Sequence, residues 1–285
     1  MNRYSRLYYY TLLGAIGGLI AWQISNTLGL SFLSTLYLSE IVVGGLIGLS
    51  IGLLIGLSEG ISLRSPGYAL RAGLLGGGLG LLAGAIALPI SEAAFQLIGG
   101  QVWARSVGWA LFGTVLGLGI GSTTGAQLWK PALGGFLGGA IGGALLEAAR
   151  LRLDDPLTGK AVGLGLLGAA LGAFIAFIVL ILSKAWLEVV SGKMKGTEFI
   201  LDKFIHADGP SAYVGSNALK ADIVLPDPDI EPQHALINGA DTHVVLKDMS
   251  RSGTFVNRKR IEQTNLEDHQ AIQMGNTQMV YHEKR

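Results

Sequence analysis

The sequence predicts two domains of different fold class, an all-α polytopic bundle of membrane helices followed by an all-β sandwich. Residues 1–190 contain 17 of the 41 charged residues and 36 of the 43 glycines. All five tryptophans lie in that part, and all five histidines follow it. The apolar pattern also changes near residue 197, from long continuous runs to short runs rich in β-branched residues. We therefore expect a membrane domain over 1–190, a short linker over 191–196 and the sandwich over 197–285.

The first domain is defined by six apolar runs, each near the roughly 20 helical residues that cross a hydrocarbon core of about 30 Å. They cover residues 8–29, 38–58, 70–98, 106–127, 132–149 and 161–188. Arg3, Arg6, Arg71 and Lys130 fall on one side if the runs cross in sequence, and this excess of basic residues predicts a cytoplasmic side. An even number of crossings returns the C-terminal domain there. We therefore expect a multi-pass protein of the bacterial inner membrane with both termini in the cytoplasm.

Glycines spaced four residues apart line these runs. Residues four apart share a helix face, and glycine lets two backbones approach closely in lipid. The candidate helix-packing positions are Gly44, Gly48, Gly52, Gly56, Gly76, Gly80, Gly84, Gly113, Gly117, Gly121, Gly134, Gly138 and Gly142. Helix packing is the ordinary interpretation, and close approach around a pore or a translocated substrate is the alternative. Glycine faces left unused within one bundle would also favour a homo-oligomer.

Two carboxylates lie deepest within the apolar runs. Glu92 follows Pro89, and Glu147 follows the pair Gly142 and Gly143. An ionisable group within a membrane span is a candidate for proton or ion transfer. The alternative is that a side chain near a helix end reaches the interface at little cost. Both interpretations stay open on the sequence.

The C-terminal domain carries five sequence blocks in a specific order. They are YVGS at 213–216, DIVLPD at 222–227, QHALI at 233–237, LKDMSRSGTFVN at 246–257 and IQMG at 272–275. In this order the blocks resemble the forkhead-associated (FHA) family. The resemblance covers the last third of the chain. It implies an 11-stranded sandwich whose loops at one end recognise phosphothreonine peptides, without catalysis.

Three positions that contact the peptide in this family depart from its pattern. Ser216 stands in place of an arginine, Glu231 in place of a serine and Ser252 in place of an asparagine. Ser216 lacks the charge that opposes a phosphate, and Glu231 adds a carboxylate that repels one. Lys220 and Arg251 lie at the same end and could offset that repulsion. The resemblance implies loop-shaping roles for Gly215, His234 and Gly253, and the partner-binding candidates are Ser216, Lys220, Glu231, Arg251, Ser252, Thr254 and Asn257.

Three interpretations of this surface stay open. It binds an unphosphorylated or acidic protein partner, it reads phosphothreonine with substitute cations, or it is purely structural. The basic cluster Arg258-Lys259-Arg260 is expected at a solvated hairpin tip, with contact to anionic lipid as the alternative.

Composition and motif content exclude several function classes. The net charge of +1 gives no basic face for nucleic acid. The absence of cysteine excludes disulfides, thiolate metal sites and thiol nucleophiles. Neither a nucleophile motif nor metal-ligand spacing accompanies His234. We therefore expect no enzymatic activity, no cofactor and no metal.

The sequence thus favours a membrane-anchored adaptor that presents an FHA-like module to a protein partner. The alternative is a channel, a transporter or a secretion-machine subunit in which the module is regulatory. Both hypotheses place the chain in the lipid bilayer, as a homo-oligomer or as a subunit of a membrane complex.

Overall fold

The computed structural model describes residues 3–30, 35–62, 66–97, 99, 102–206, 209–240 and 243–284. The first part forms the helices α1 (Arg3–Thr27), α2 (Leu36–Ser62), α3 (Pro66–Leu97), α4 (Val102–Thr123), α5 (Trp129–Arg152) and α6 (Pro156–Leu182). The short connection from α5 to α6 has a clear local cause. Asp155 accepts hydrogen bonds from the backbone N–H groups of Leu157 and Thr158, and Pro156 stands at the first helical position. Both features favour the start of a new helix.

The six helices form a closed antiparallel ring, because each packs on its neighbour in sequence and α1 also packs on α6. Every helix contributes to the apolar centre, where Ile51, Phe112, Leu116 and Leu171 are completely buried. Large side chains therefore fill the middle of the ring.

The outer surface of the ring is apolar. Leu74, Leu82 and Ile86 of α3 are 61%, 57% and 57% exposed, which is the pattern of side chains that face lipid. Five helices are long and apolar enough to cross a membrane, namely α1, α2, α3, α5 and α6. The sequence predicted six such spans. The described part of α4 falls short because Arg105 and several glycines and hydroxyl side chains lower its mean hydropathy.

The candidate packing glycines lie where helices of the same chain meet. A Cβ atom added at Gly48 would overlap the carbonyl oxygen of Gly80, and one added at Gly113 would overlap that of Gly135. The other candidate positions likewise face backbone or side-chain atoms of a neighbouring helix. Because these faces are used within one bundle, they leave no unused groove for a second copy. The homo-oligomer stays a prediction that needs another surface.

The described residues of the C-terminal domain form 11 strands. They are β1 (Ala185–Ser191), β2 (Glu198–Ile200), β3 (Ala212–Gly215), β4 (Ile223–Val224), β5 (Ala235–Ala240), β6 (His243–Asp248), β7 (Thr254–Val256), β8 (Lys259–Ile261), β9 (Gln263–Leu266), β10 (Ala271–Met274) and β11 (Thr277–Glu283). One sheet has the order β2-β1-β11-β10-β7-β8 and the other β4-β3-β5-β6-β9. All pairs are antiparallel except β3 with β4. Leu187, Val214, Leu246 and Tyr281 are among the side chains buried between the sheets. The predicted 11-stranded sandwich is confirmed.

The domain boundary lies earlier than the sequence suggested. Helix α6 ends at Leu182, and β1 begins at Ala185 as the first strand of the sandwich. It pairs along its length with β11, so its residues cannot belong to the membrane domain. The expected linker at 191–196 is the turn between β1 and β2. The continuous apolar run at 161–188 hid this change because its last residues are strand residues with an alternating burial pattern.

The two domains are joined by buried polar contacts. Lys130 Nζ at the start of α5 lies 2.7 Å from Asp202 Oδ2, and both side chains are buried. The other oxygen of Asp202 accepts hydrogen bonds from the backbone N–H groups of Lys184 and Ala185. The backbone N–H of Lys203 donates to the carbonyl oxygen of Gly125. The sandwich is therefore docked on the end of the ring.

Candidate partner-binding site

The candidate site lies at the end of the sandwich that is remote from the helices. Strand β1 leaves the helices at Ala185 and ends at Ser191, which sets the direction of its sheet. The β3–β4, β4–β5 and β6–β7 connections lie at the far end with the β10–β11 turn, where Asn276 donates to Asp227. We refer to residues 216–222, 225–234 and 249–253 as the apical loops.

His234 lies inside the sandwich beneath the apical loops and connects two of them. It is fully buried, and its Nδ1 accepts a hydrogen bond from the backbone N–H of Glu231. This contact places the ring hydrogen on Nε2, which lies 3.4 Å from the carbonyl oxygen of Gly253. The imidazole thus supports both the β4–β5 and the β6–β7 loop.

Two glycines are required by the backbone of the site. A Cβ atom at Gly215 would overlap the carbonyl oxygen of Pro232, where the β3–β4 and β4–β5 loops approach each other. Gly253 has φ of +91°, a conformation that disfavours side chains. The loop-shaping roles implied for Gly215, His234 and Gly253 agree with these positions.

The β6–β7 loop is organised by Asp248, which sequence reasoning did not single out. Its Oδ1 accepts hydrogen bonds from the backbone N–H and hydroxyl of Ser250 and from the hydroxyl of Thr254. Ser250 Oγ in turn accepts from the backbone N–H of Gly253. Partial burial raises the pKa of Asp248, but these hydrogen bonds outweigh that effect and hold the pKa below its usual value.

Thr254 and Asn257 do not join the apical surface as expected. The Thr254 side chain is fully buried, and its hydroxyl is used by Asp248. Asn257 follows the opposite end of β7, where its side-chain oxygen accepts from the backbone N–H of Ala271. It has φ of 50° and forms a tight turn with Arg258. Both residues therefore stabilise the domain rather than line the candidate site.

The other five candidates lie on the apical loops. Ser216 donates its backbone N–H to the carbonyl oxygen of Glu231. A carboxylate oxygen of Glu231 accepts the backbone N–H of Arg251 at 2.7 Å, so this acidic side chain ties two loops together. Lys220, Arg251 and Ser252 are exposed. The candidate surface is therefore preformed by its own hydrogen bonds.

Arg260 adds a cation that the sequence assigned to a solvated hairpin tip. It stands opposite Phe255 in the β7–β8 pair, and its Nη2 donates to the carbonyl oxygen of Arg251 at 3.3 Å. Its Nε would lie 2.7 Å from a Cβ atom on Gly253. The tight turn at Asn257 sets the register of the β7–β8 pair. This turn is the sequence feature that could have indicated the position of Arg260. Three cations, Lys220, Arg251 and Arg260, are thus associated with the apical loops.

Asp268, His269 and His282 form the group that comes nearest to a metal site in the described residues. Their ligand atoms all lie within 4.8 Å of one another, so the group could hold a metal ion. His269 contacts Asp268, and His282 contacts Glu188. The expected absence of a metal therefore stays a prediction. The backbone N–H of Glu283 is the main reason why the pKa of Asp268 is lowered.

The two intramembrane candidates lie together at the opposite end of the molecule. Glu92 and Glu147 both line a cavity at the end of the ring that is remote from the sandwich. Glu147 is buried and forms ion pairs with Arg105 and Arg150. Glu92 accepts a hydrogen bond from Gln96. The sequence alone did not indicate that these two carboxylates share one cavity.

Comparison with known proteins concerns the C-terminal third of the chain. Residues 188–284 match the family described as the cytoplasmic domain of an inner membrane component of the type III secretion system (T3SS). The FHA domain of the CT664 protein from Chlamydia trachomatis is 33% identical, with a TM-score of 0.33, and the match covers 36% of this chain and all of that domain. This C-terminal third belongs to the forkhead-associated family.

Other solved FHA structures match the same region. A domain described in a study of phosphothreonine-dependent FHA interactions is 22% identical with a TM-score of 0.31, and the match covers 36% of this chain and 98% of that one. The cytoplasmic domain of the T3SS sorting platform protein PscD from P. aeruginosa is 19% identical with a TM-score of 0.31, covering 36% of this chain and 82% of that one. No curated protein matches the chain. The FHA assignment therefore applies to the sandwich alone.

Proposed function

We propose that this chain is a membrane-anchored adaptor that uses the apical loops of its FHA domain to bind a protein partner, without catalysis. The observation that carries the proposal is the arrangement of the two domains. The sandwich is docked on the ring through Lys130 and Asp202, while the apical loops lie at its far end. A bound partner would therefore be held at a fixed distance from the membrane.

The apical loops favour a partner whose recognition does not depend on phosphate. Ser216 offers no charge to a phosphate, and the carboxylate of Glu231 lies within the site, bonded to the backbone of Arg251. Lys220, Arg251 and Arg260 supply cations to this surface, beside the exposed carboxylates of Asp222 and Asp229. An acidic peptide suits scattered cations, whereas a phosphate group is best held by a convergent arginine fork.

The membrane location is proposed on two grounds. The matched family is described as an inner membrane component, and five helices of this chain have the length and composition of membrane spans. The first turns of α1 and α5, with Arg6 and Lys130, lie at the same end of the ring as the FHA domain. We propose that this end faces the cytoplasm, because the family matched by the sandwich is described as a cytoplasmic domain.

A second candidate function is that of a structural subunit in a secretion machine. The description of the matched family favours it, since it names a component of the T3SS. In that case the apical loops would contact sister subunits. Mild solubilisation followed by electron microscopy would then show a ring or another regular assembly, whereas the adaptor would be isolated as a small particle with its partner.

The adaptor proposal can be tested with the full-length chain in lipid nanodiscs. The chain is used to capture partners from a lysate treated or not treated with phosphatase, and the captured protein is then titrated against wild type and variants. We expect binding to persist after phosphatase treatment. The double variant R251A/R260A should weaken it by roughly tenfold, because two cations leave the surface.

The matched control is Lys259→Ala, which removes an exposed cation from the start of β8, at the end of the sandwich opposite the apical loops. It should leave the affinity unchanged. Loss of binding on phosphatase treatment would contradict the proposed mode and favour phosphothreonine recognition with substitute cations. Equal binding by wild type and R251A/R260A would contradict the choice of the apical loops.

A further inference from the structure

The strongest unassigned feature is the polar cavity at the end of the helix ring that is remote from the FHA domain. Its volume is about 290 Å³, close to the lower limit of sites that hold small ligands. All six helices contribute to its walls. Phe112 and Leu116, further along α4, belong to the buried apolar cluster in the middle of the ring.

Charges of opposite sign occupy different sectors of this cavity. Glu40 of α2 and Glu92 of α3 lie on adjacent helices, and the cations Arg105, Arg150 and Lys160 come from α4, α5 and α6. Because the helices follow one another around the ring, one wall is acidic and the facing wall is basic. The third carboxylate, Glu147, is on the basic wall. It is neutralised there by Arg105 at 3.6 Å and Arg150 at 3.2 Å.

Several polar groups of the cavity have no strong partner within the described chain. Glu40 and Lys160 make no hydrogen bond or ion pair with the described residues. The only described partner of Glu92 is the neutral amide of Gln96. Glu40, Glu92 and Lys160 are therefore the charged side chains of the cavity without an ion-pair partner among the described residues.

We propose that this cavity binds a zwitterion that carries an ammonium group and a phosphate a few atoms apart, as phosphoethanolamine does. The ammonium group lies against Glu40 and Glu92, and the phosphate lies against Lys160 and Arg150. A single cation or anion would satisfy only one wall and leave the other charged, whereas a zwitterion complements both at once.

Two sources share this chemistry. The cavity opens at the end of a ring of membrane helices, where lipid headgroups lie, and the headgroup of phosphatidylethanolamine is a phosphoethanolamine ester. A water-soluble phosphoethanolamine would make the same contacts. The two sources differ in whether the site is filled from the bilayer, which an experiment can separate.

The test uses the full-length chain in nanodiscs of phosphatidylglycerol, titrated by calorimetry with O-phosphoethanolamine. Ethanolamine alone and inorganic phosphate alone serve as the two half-ligands. We expect the zwitterion to bind, and each half-ligand to bind at least about tenfold more weakly. The fluorescence of Trp22 and Trp109, which both line the cavity, should change over the same range of concentration.

Substitutions test the contribution of each cavity wall to ligand binding. E40Q/E92Q removes the acidic wall, and K160Q removes the unpaired cation. Each should weaken binding of O-phosphoethanolamine by about tenfold. E262Q and K193Q are matched controls, since both side chains are exposed on the FHA domain, and they should leave binding unchanged.

Nanodiscs of phosphatidylethanolamine then distinguish the sources. If the soluble ligand no longer binds there, the site is filled by the lipid headgroup, and if its binding is unchanged, the site takes a free solute. The proposal is overturned if two results occur together. These are no binding of O-phosphoethanolamine in phosphatidylglycerol nanodiscs, and no preferential retention of phosphatidylethanolamine by wild type over E40Q/E92Q in native mass spectrometry.

Discussion

Asp248 is the residue on which the geometry of the β6–β7 loop depends most directly. One of its oxygens accepts three hydrogen bonds, from Ser250 and Thr254. In D248N the acceptor keeps its shape but loses its charge, and hydrogen bonds to charged groups are stronger than neutral ones. We expect the free energy of unfolding of the FHA domain to fall by about 1–2 kcal/mol at pH 7. Thermal unfolding followed by circular dichroism measures this, and E262Q is the control.

The pH dependence of the same variant checks the cause. The pKa of Asp248 in the folded domain lies below 3.8, its value in the unfolded chain. Its stabilising contribution is therefore present above pH 3.8 and is lost as the pH falls through the folded value. The stability difference between wild type and D248N should shrink on acidification below pH 4. A difference that stays constant down to pH 2 would show that the charge of Asp248 is not responsible.

Sequence blocks predicted some residues of the site and missed others for a physical reason. Gly215 and His234 could be selected from the sequence because both lie within short sequence motifs. Gly215 lies where two loop backbones approach closely, and His234 hydrogen-bonds to two loops. Arg260 was missed because its contact with the β6–β7 loop depends on strand pairing with β7. Thr254 was placed wrongly because motif order does not show which side of a strand faces the core.

At the level of elements, the glycines of α2 and α3 can be tested one position at a time. A Cβ atom at Gly80 would overlap the carbonyl oxygen of Gly48, whereas one at Gly78 would meet no atom within 4 Å. G80A should separate the two helices, and overpacking of this kind typically costs about 1–3 kcal/mol. G78A should leave the stability unchanged or raise it slightly, since alanine favours helix more than glycine does.

The measurement is thermal unfolding of the full-length chain in detergent, with both variants prepared in the same way. The two substitutions add the same methyl group to the same helix, so helix propensity cannot explain a difference between them. Equal melting temperatures for G80A and G78A would contradict close packing of α2 against α3.

Strand β1 could not be recognised from the apolar pattern of the sequence. The run at 161–188 is apolar throughout, so a helix that crosses lipid and a strand buried in a sandwich read alike within it. The burial pattern of β1 alternates, but over seven residues that signal is too short to be separated from the preceding helix. The pairing of β1 with β11 identifies these residues as a strand, and that contact joins residues almost 100 positions apart in the sequence.

At the level of the whole molecule, the function depends on how firmly the FHA domain is held on the ring. A short linker at 191–196 was expected, and the structure instead has two residues between α6 and β1. Buried polar groups at the junction are paired in detail, with Asp202 accepting from Lys130, Lys184 and Ala185. Such a junction transmits the orientation of the helices to the apical loops. Sequence could not show it, because Lys130 and Asp202 are 72 residues apart.

The ion pair between Lys130 and Asp202 gives the corresponding prediction. K130M leaves a buried carboxylate without its cation, which typically costs about 3–5 kcal/mol. The two backbone N–H groups that Asp202 also accepts should keep the loss near the lower end. We expect K130M to lower the melting temperature and to speed hydrogen exchange at the amides of Lys184 and Ala185.

The double variant K130M/D202N separates a loss of charge balance from a loss of packing. Asparagine at 202 is neutral and keeps an oxygen for the two backbone N–H groups, so much of the stability lost in K130M should return. Lys193→Met serves as the control, because it makes the same exchange at an exposed position. If K130M/D202N is less stable than K130M, the aspartate holds the junction through its backbone contacts alone. In that case the domains are coupled by the chain at 183–185 rather than by the ion pair.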